Sequence, residues 1–333
     1  MIKRGRISQT QSRVKGLKPP KRAHWARKEA WTILASRNRL SSRDWFVLNM
    51  LFKAYLEDTS SRAIVLYREE DGVTLLLPYR TRFSRGGIKQ LMTNFNRVFE
   101  LANERFSYGV WLTLTVDPKR YNNIIEMRYE LQKAWNRFMS WLQRKLGFRP
   151  RYLRVIEFTK SGLVHYHVVL FGVWRIADKF RELTPELERI GFGKISFLYQ
   201  IVKRGGKWTP RRLLEAERDG LNDGGGLPSS LRDYLRKYLR KALDVSLDTL
   251  EDLGSVNPST LYWALNSRFF TYSRELSPRA HLRLKDHVTY FRFYGTGYVD
   301  EPEELPFDYP GPPWLLHIPG SAPPLYVLRG SVY

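Results

Sequence analysis

The chain has no cysteine. Disulfides, thiolate metal sites and cysteine nucleophiles are therefore excluded, and any metal must be held by imidazole nitrogen and carboxylate oxygen. No apolar run approaches the roughly 20 residues needed to span a bilayer, and the first residues lack the apolar core of a secretory signal, so a soluble, intracellular protein is expected. Acidic residues are scarce, with 33 Asp and Glu against 56 Lys and Arg and a formal charge of +23. Together with 14% aromatic residues, that imbalance favours a polyanionic partner whose unpaired bases offer faces for stacking, and it ranks nucleic acid above membrane. A hydrophobic content of 43% over 333 residues supports a packed core with accessory segments.

Residues 1–28 carry ten Lys or Arg and no acidic residue, with Pro19-Pro20 inside. Such a composition cannot bury a core and reads as a flexible basic arm. From Ser41, apolar residues at Trp45, Leu48, Leu51, Phe52 and Tyr55 predict a helix. Two strand-like runs, Ala63 to Tyr67 and Val73 to Leu77, flank an Asp71-Gly72 turn, and another helix is expected over Ile88 to Glu104. The β-rich run Val110 to Val116 stops at Asp117-Pro118. Ile124, Met127, Leu131, Trp135, Phe138, Leu142 and Leu146 then recur at helical spacing before Gly147, predicting a helix that covers a sheet. Tyr152 to Phe158 and Leu163 to Phe171 read as a hairpin around Thr159 to Gly162. A helix with Thr184-Pro185 as its start signal, a strand over Lys194 to Val202 and a polar connection ending in Asp223 to Gly226 follow. Strand, helix, two strands, helix, strand is the order of a ferredoxin-like or RRM-like α+β sandwich, with helices on one face of an antiparallel sheet and the other face free for ligands. Residues 276–333 differ: His281 to Tyr294 looks extended, and Asp300 to Pro324 is proline-rich and partly acidic, so an irregular tail is expected.

Two features carry chemistry. In His165-Tyr166-His167 strand alternation puts both imidazoles on one face, a spacing that suits two ligands of one metal. Glu157 becomes a third ligand if the hairpin register sets it on that face, for example opposite His165. The plain alternative is a pair of packed histidines. The second feature is Tyr234-Leu235-Arg236-Lys237-Tyr238-Leu239-Arg240-Lys241, a helix announced by a capping-box signal at Ser230 to Asp233. Leu231, Leu235, Leu239 and Leu243 supply its buried stripe, and two copies of Tyr-x-x-Lys sit one turn apart. Its alternative is a basic amphipathic helix with two packing tyrosines.

The segments Trp111-Leu112-Thr113-Leu114-Thr115, Glu157 with His165-Tyr166-His167, and the paired Tyr-x-x-Lys occur in the order of the three motifs of HUH endonucleases. Over roughly residues 109–275 the chain resembles rolling-circle replication initiators (Rep) of the two-tyrosine class, found in bacteriophages and in plasmids and viruses of bacteria and archaea. The resemblance extends loosely to the basic and aromatic segment Trp263 to Arg274. It implies an HUH fold with a central antiparallel sheet of about five strands, and metal-dependent, tyrosine-mediated nicking and rejoining of single-stranded DNA at an origin. His165, His167 and Glu157 are then the metal ligands and Mn²⁺ or Mg²⁺ the cofactor. Tyr238 and Tyr234 are the nucleophiles, Tyr238 matching the single tyrosine of related enzymes, and Lys237 and Lys241 stabilise developing charge. Thr113, Thr115, Arg236, Arg240, Arg268 and Arg274 are the candidate DNA contacts, with sheet packing or a solvated face as their alternative roles. The implied domains are a basic arm (1–30), an accessory α/β region (31–108), the nickase domain (109–275) and a C-terminal extension (276–333). The implied setting is the cytoplasm of a host cell, with host helicase and polymerase as partners. No Gly-x-x-x-x-Gly-Lys-Ser/Thr loop occurs, so a fused helicase is not expected. Rival readings are a relaxase or transposase with the same chemistry, and a non-catalytic RRM-like nucleic-acid-binding protein that would work without metal.

Overall fold

A computed structural model describes residues 24–68, 73–176, 183–193, 195–216, 230–245, 250–252, 255–278, 290–298, 314–317 and 325–327. In chain order its elements are α1 (Trp25–Ala35), α2 (Ser42–Ser60), β1 (Arg62–Arg68), β2 (Val73–Pro78), α3 (Arg85–Arg105), β3 (Tyr108–Leu114), α4 (Ile124–Leu146), β4 (Arg151–Phe158) and β5 (Val164–Phe171). There follow α5 (Thr184–Ile190), β6 (Ile195–Arg204), β7 (Lys207–Ala216), α6 (Leu231–Ala242), α7 (Pro258–Ala264), β8 (Phe270–Tyr272), β9 (Tyr290–Tyr298), β10 (Trp314–His317) and β11 (Leu325–Val327). The chain divides into two units, residues 1–53 with 94–278 and residues 54–93 with 279–333. Among the described residues no helix is long and apolar enough to cross a membrane.

The first unit is α+β, built on an antiparallel sheet of six strands in the order β7-β6-β3-β5-β4-β8. Its four central strands, β6-β3-β5-β4, arise from the chain order β3-α4-β4-β5-α5-β6, which is the βαββαβ connectivity of ferredoxin-like folds. Helix α4 spans the predicted residues. The Asn123 side chain accepts from the amide of Glu126 at 2.8 Å, and the Glu126 carboxylate accepts from the amide of Asn122 at 2.9 Å. Gly147 ends the helix in the left-handed region, at φ 76°. Met127, Leu131, Ala134, Trp135, Phe138 and Leu142 bury the stripe, and Trp135 meets Tyr166 of β5 edge-on, with ring centroids 6.2 Å apart. In the β4–β5 hairpin Glu157 lies opposite His165 and Val155 opposite His167. Gly162 closes its loop at φ 80°, so Glu157 and both histidines share the sheet face away from α4.

Four expectations change. Helix α1 begins inside the stretch read as a basic arm, because Ala26, Ala30, Trp31 and Leu34 form a buried stripe at helical spacing. The sheet gains β7 from the segment read as a polar connection, where pairing with β6 supplies what the local pattern lacks. The face expected to be free carries α6, whose Leu231, Leu235 and Leu239 are buried. Finally, Ser230 makes no side-chain cap bond to α6, whereas Ser41 and Asp44 form a reciprocal box at α2, amide to side chain at 2.9 and 3.2 Å.

In the second unit five strands pair in the order β10-β2-β1-β9-β11, all antiparallel. The tail expected to be irregular therefore contributes three strands, with β9 lying along β1. The basic stretch up to residue 23, Asp71-Gly72, Asp223 to Gly226, residues 279–289 and the acidic run Asp300 to Asp308 lie outside the described residues.

Candidate active site

Alternation along β5 aims His165 and His167 away from α4, and α6 crosses that same face with Tyr234 and Tyr238 one helical turn apart. The two motifs meet at His167. The Tyr238 ring stacks on the His167 imidazole, with centroids 4.0 Å apart and planes at 23°. Tyr234 stands edge-on to the same imidazole at 5.7 Å. The Tyr238 hydroxyl donates to that of Tyr234 at 2.9 Å.

Both nitrogens of His167 are engaged. Nδ1 faces the Thr113 hydroxyl at 3.0 Å and Nε2 faces a Glu157 carboxylate oxygen at 2.8 Å. The other Glu157 oxygen accepts from the Lys241 ammonium at 3.3 Å. Burial alone would raise the Glu157 carboxyl, but the hydrogen bond and charge at His167, then Lys241, hold it below its ordinary value, so it is a carboxylate at neutral pH. Burial and the neighbouring His167 push the His165 imidazole down to about 4, so it is neutral, with a ring lone pair available. Tyr234 meets Trp111 edge-on at 4.5 Å, and burial, followed by the adjacent Tyr238, pushes its phenol far above the ordinary tyrosine range.

This donor set suits a divalent cation. Imidazole and carboxylate are the ligand types that remain without cysteine, and two neighbouring ligands at about 2.1 Å from a metal stand about 3 Å apart. The His167 and Glu157 atoms already do so at 2.8 Å. With Nδ1–H directed at Thr113, Nε2 is left to bind. His165 shares the face through its position opposite Glu157. Among the described residues no three such side chains are drawn together into a closed metal-binding group.

The other expected site residues divide. Lys237 is exposed one turn from Lys241, Arg240 is exposed, and Arg236 is half-buried on the same helix. Thr113 is only 2% exposed, so its hydroxyl serves His167 and cannot border DNA. Thr115 is half-buried just beyond β3. Arg268 and Arg274 are exposed on the segment around β8 and are not brought to the tyrosines; Arg268 acts instead on Arg154, on the α4 side of the sheet. Sequence reasoning missed Trp111 and Tyr199, whose rings stack at 5.3 Å and wall in Tyr234. The available signal was Trp111 lying two residues before Thr113, hence on the same strand face.

Residues 109–242 match the family of replication-associated proteins of the ORF2 type, which ties the segment holding these side chains to replication. A protein of Halorubrum pleomorphic virus 1, named "Uncharacterized protein 1", is 36% identical over 132 residues, covering 37% of this chain and 26% of the viral protein. The chain thus spans about a quarter of the length of that curated relative. No solved structure matches.

Proposed function

We propose that the protein is a replication initiator of the HUH, two-tyrosine type, which nicks and rejoins single-stranded DNA at an origin to start rolling-circle replication. The observation that carries this reading is the Tyr238 ring on His167 at 4.0 Å, with its hydroxyl on Tyr234 at 2.9 Å. The replication-associated family match over the same residues supports it.

Tyr238 attacks the scissile phosphorus. The phosphorus–phenol oxygen bond forms as the bond to the 3′-oxygen breaks, the phenol gives up its proton, and the departing 3′-oxygen takes one up. One phosphodiester replaces another, so later rejoining needs no nucleotide hydrolysis, and the free 3′-hydroxyl primes synthesis by a host polymerase behind a host helicase. A phenol of pKa about 10 is roughly 0.1% ionised at neutral pH, a deficit of about 4 kcal/mol, so charge neutralisation must carry much of the catalysis. Lys241 and Lys237 place ammonium groups on the tyrosine helix for that purpose. His165, His167 and Glu157 would hold Mn²⁺ or Mg²⁺, which supplies polarisation of the scissile phosphate. Tyr234 is the second nucleophile, freed to cut the regenerated origin while Tyr238 holds the 5′ end. The proposed setting is the host cytoplasm.

The test is incubation with Mn²⁺ and single-stranded oligonucleotides from the element that encodes the protein, followed by denaturing electrophoresis. A covalent adduct that disappears in the Tyr234→Phe, Tyr238→Phe double variant supports the reading. Cleavage that survives without either hydroxyl overturns the nucleophile assignment.

A further inference from the structure

On the sheet face opposite the tyrosines, Arg154 of β4 is only 2% exposed. Its guanidinium lies 4.4 Å from the ring centroids of both Trp135 and Tyr166. Nε donates to the Thr271 hydroxyl at 3.0 Å and Nη2 to the Gln132 side-chain oxygen at 3.3 Å, both neutral acceptors. The remaining nitrogen, Nη1, is buried without a hydrogen-bond partner, as is the Tyr166 hydroxyl. The Arg128 Nε donates to the Ser267 hydroxyl at 3.3 Å, and Ser267 immediately precedes Arg268. The short segment from Ser267 to Thr271 thus gathers three guanidinium groups, and among the described residues none of the three pairs with a carboxylate. Burial disfavours the Arg154 charge, and Arg128 and Arg268 add like charge. A buried arginine normally has a carboxylate or an equivalent anion against it. A guanidinium presents forked donors that match the oxygens of phosphate.

We propose that Arg128, Arg154 and Arg268 form an oxyanion site that binds a backbone phosphate of single-stranded DNA on the face of the sheet remote from the nick. The proposal rests on the reading of the protein as one that handles DNA, and is independent of the cleavage step. Arg268, exposed, and Arg128, half-buried, form the outer wall. Arg154 supplies the inner donor, held in orientation by its two aromatic rings. A strand engaged there as well as at Tyr238 would be anchored at two separated points.

The experiment uses the full chain without divalent metal, so that no cleavage occurs. Anisotropy of a labelled single-stranded oligonucleotide is measured against salt for wild type, Arg128→Ala, Arg268→Ala and the exposed control Arg144→Ala. Each cluster variant is expected to lose roughly tenfold in affinity and to flatten the salt slope by about 0.7, with the control unchanged. Because Arg154→Met could fail to fold, the two outer arginines carry the test. A second arm follows thermal unfolding in inorganic phosphate against chloride at equal ionic strength, where a phosphate-specific rise in Tm should vanish in Arg268→Ala. Variants that bind oligonucleotide like the control, with no phosphate-specific shift, overturn the site. A phosphate shift with unchanged oligonucleotide affinity overturns the assignment to DNA and leaves a free-anion site. A failure of nicking with this binding pattern intact would strike the catalytic reading alone.

Discussion

At His167 the hydroxyl of Thr113 performs a task that no other described side chain duplicates, since it alone partners Nδ1. Thr113→Val keeps the volume and removes that partner. The buried nitrogen then lacks its bond, which costs about 1–3 kcal/mol of stability. Loss of ring orientation should lower metal affinity and nicking by about 10–100-fold. Thr113→Ser should stay near wild type. Urea unfolding and nicking across a Mn²⁺ titration measure both effects, and a Val variant that nicks normally would show that the hydroxyl does not position the ring. The two tyrosines differ by a similar argument. Tyr238 lies 4.0 Å from the imidazole and Tyr234 5.7 Å, while the Tyr234 phenol is held protonated by burial and by Tyr238. Tyr238→Phe should therefore abolish the first covalent adduct, and Tyr234→Phe should form it but fail to pass the strand on. Adducts of equal yield from the two single variants would refute the order.

Helix α2 depends on its first turn. Burial would raise the Asp44 carboxyl, but hydrogen bonds from the hydroxyl and amide of Ser41, with the Arg37 guanidinium, hold it below its ordinary value. Asp44→Ala should cost about 1 kcal/mol at neutral pH. A carboxyl lowered in the folded state contributes stability above its unfolded pKa of about 3.9 and loses it as pH falls through the lower folded value. The gap between variant and wild type should therefore hold from pH 7 to about 5 and close below about 3, read as Tm against pH. A gap independent of pH would mean that the cap acts without its charge. This box was overlooked in the sequence, while the equivalent signal at Ser230 to Asp233 formed no cap bond, because a four-residue pattern permits a cap and docking of the helix decides whether it closes. Long-period features were legible. The stripe of α4 and the short loop after Phe158 determined α4 and the facing of Glu157 and His165. Strand β7 was not legible: Lys207-Trp208-Thr209-Pro210-Arg211-Arg212 lacks alternation and carries a proline, which the ladder to β6 accommodates with a register shift at Gln200/Ile201. The site divided in the same way. His-x-His and Tyr-x-x-x-Tyr are periodic and readable, whereas Trp111, Tyr199 and the Thr113 bond become functional neighbours only when α6 docks on the sheet.

Across the whole molecule, a formal charge of +23 makes attraction to a polyanion strongly dependent on salt. With about six strand phosphates neutralised, log affinity for single-stranded DNA should fall against log salt with a slope near −4, with or without divalent metal. A flat plot would exclude phosphate contact as the source of affinity. The second unit draws its sheet from distant parts of the sequence, and β1 owes one whole edge to β9. Removing residues 279–333 would leave only β1 and β2 of the five strands. An isolated two-stranded hairpin is marginal in water, and an uncovered edge invites pairing between copies. The six-stranded sheet that carries His165, His167 and Glu157 draws no strand from that segment. A chain ended at Pro278 should therefore be cut rapidly by protease within residues 54–93 and aggregate sooner on heating, yet still form the tyrosine adduct when fresh. Loss of the adduct in material that retains its far-ultraviolet dichroism would show that the tail serves the reaction itself as well as its own sheet.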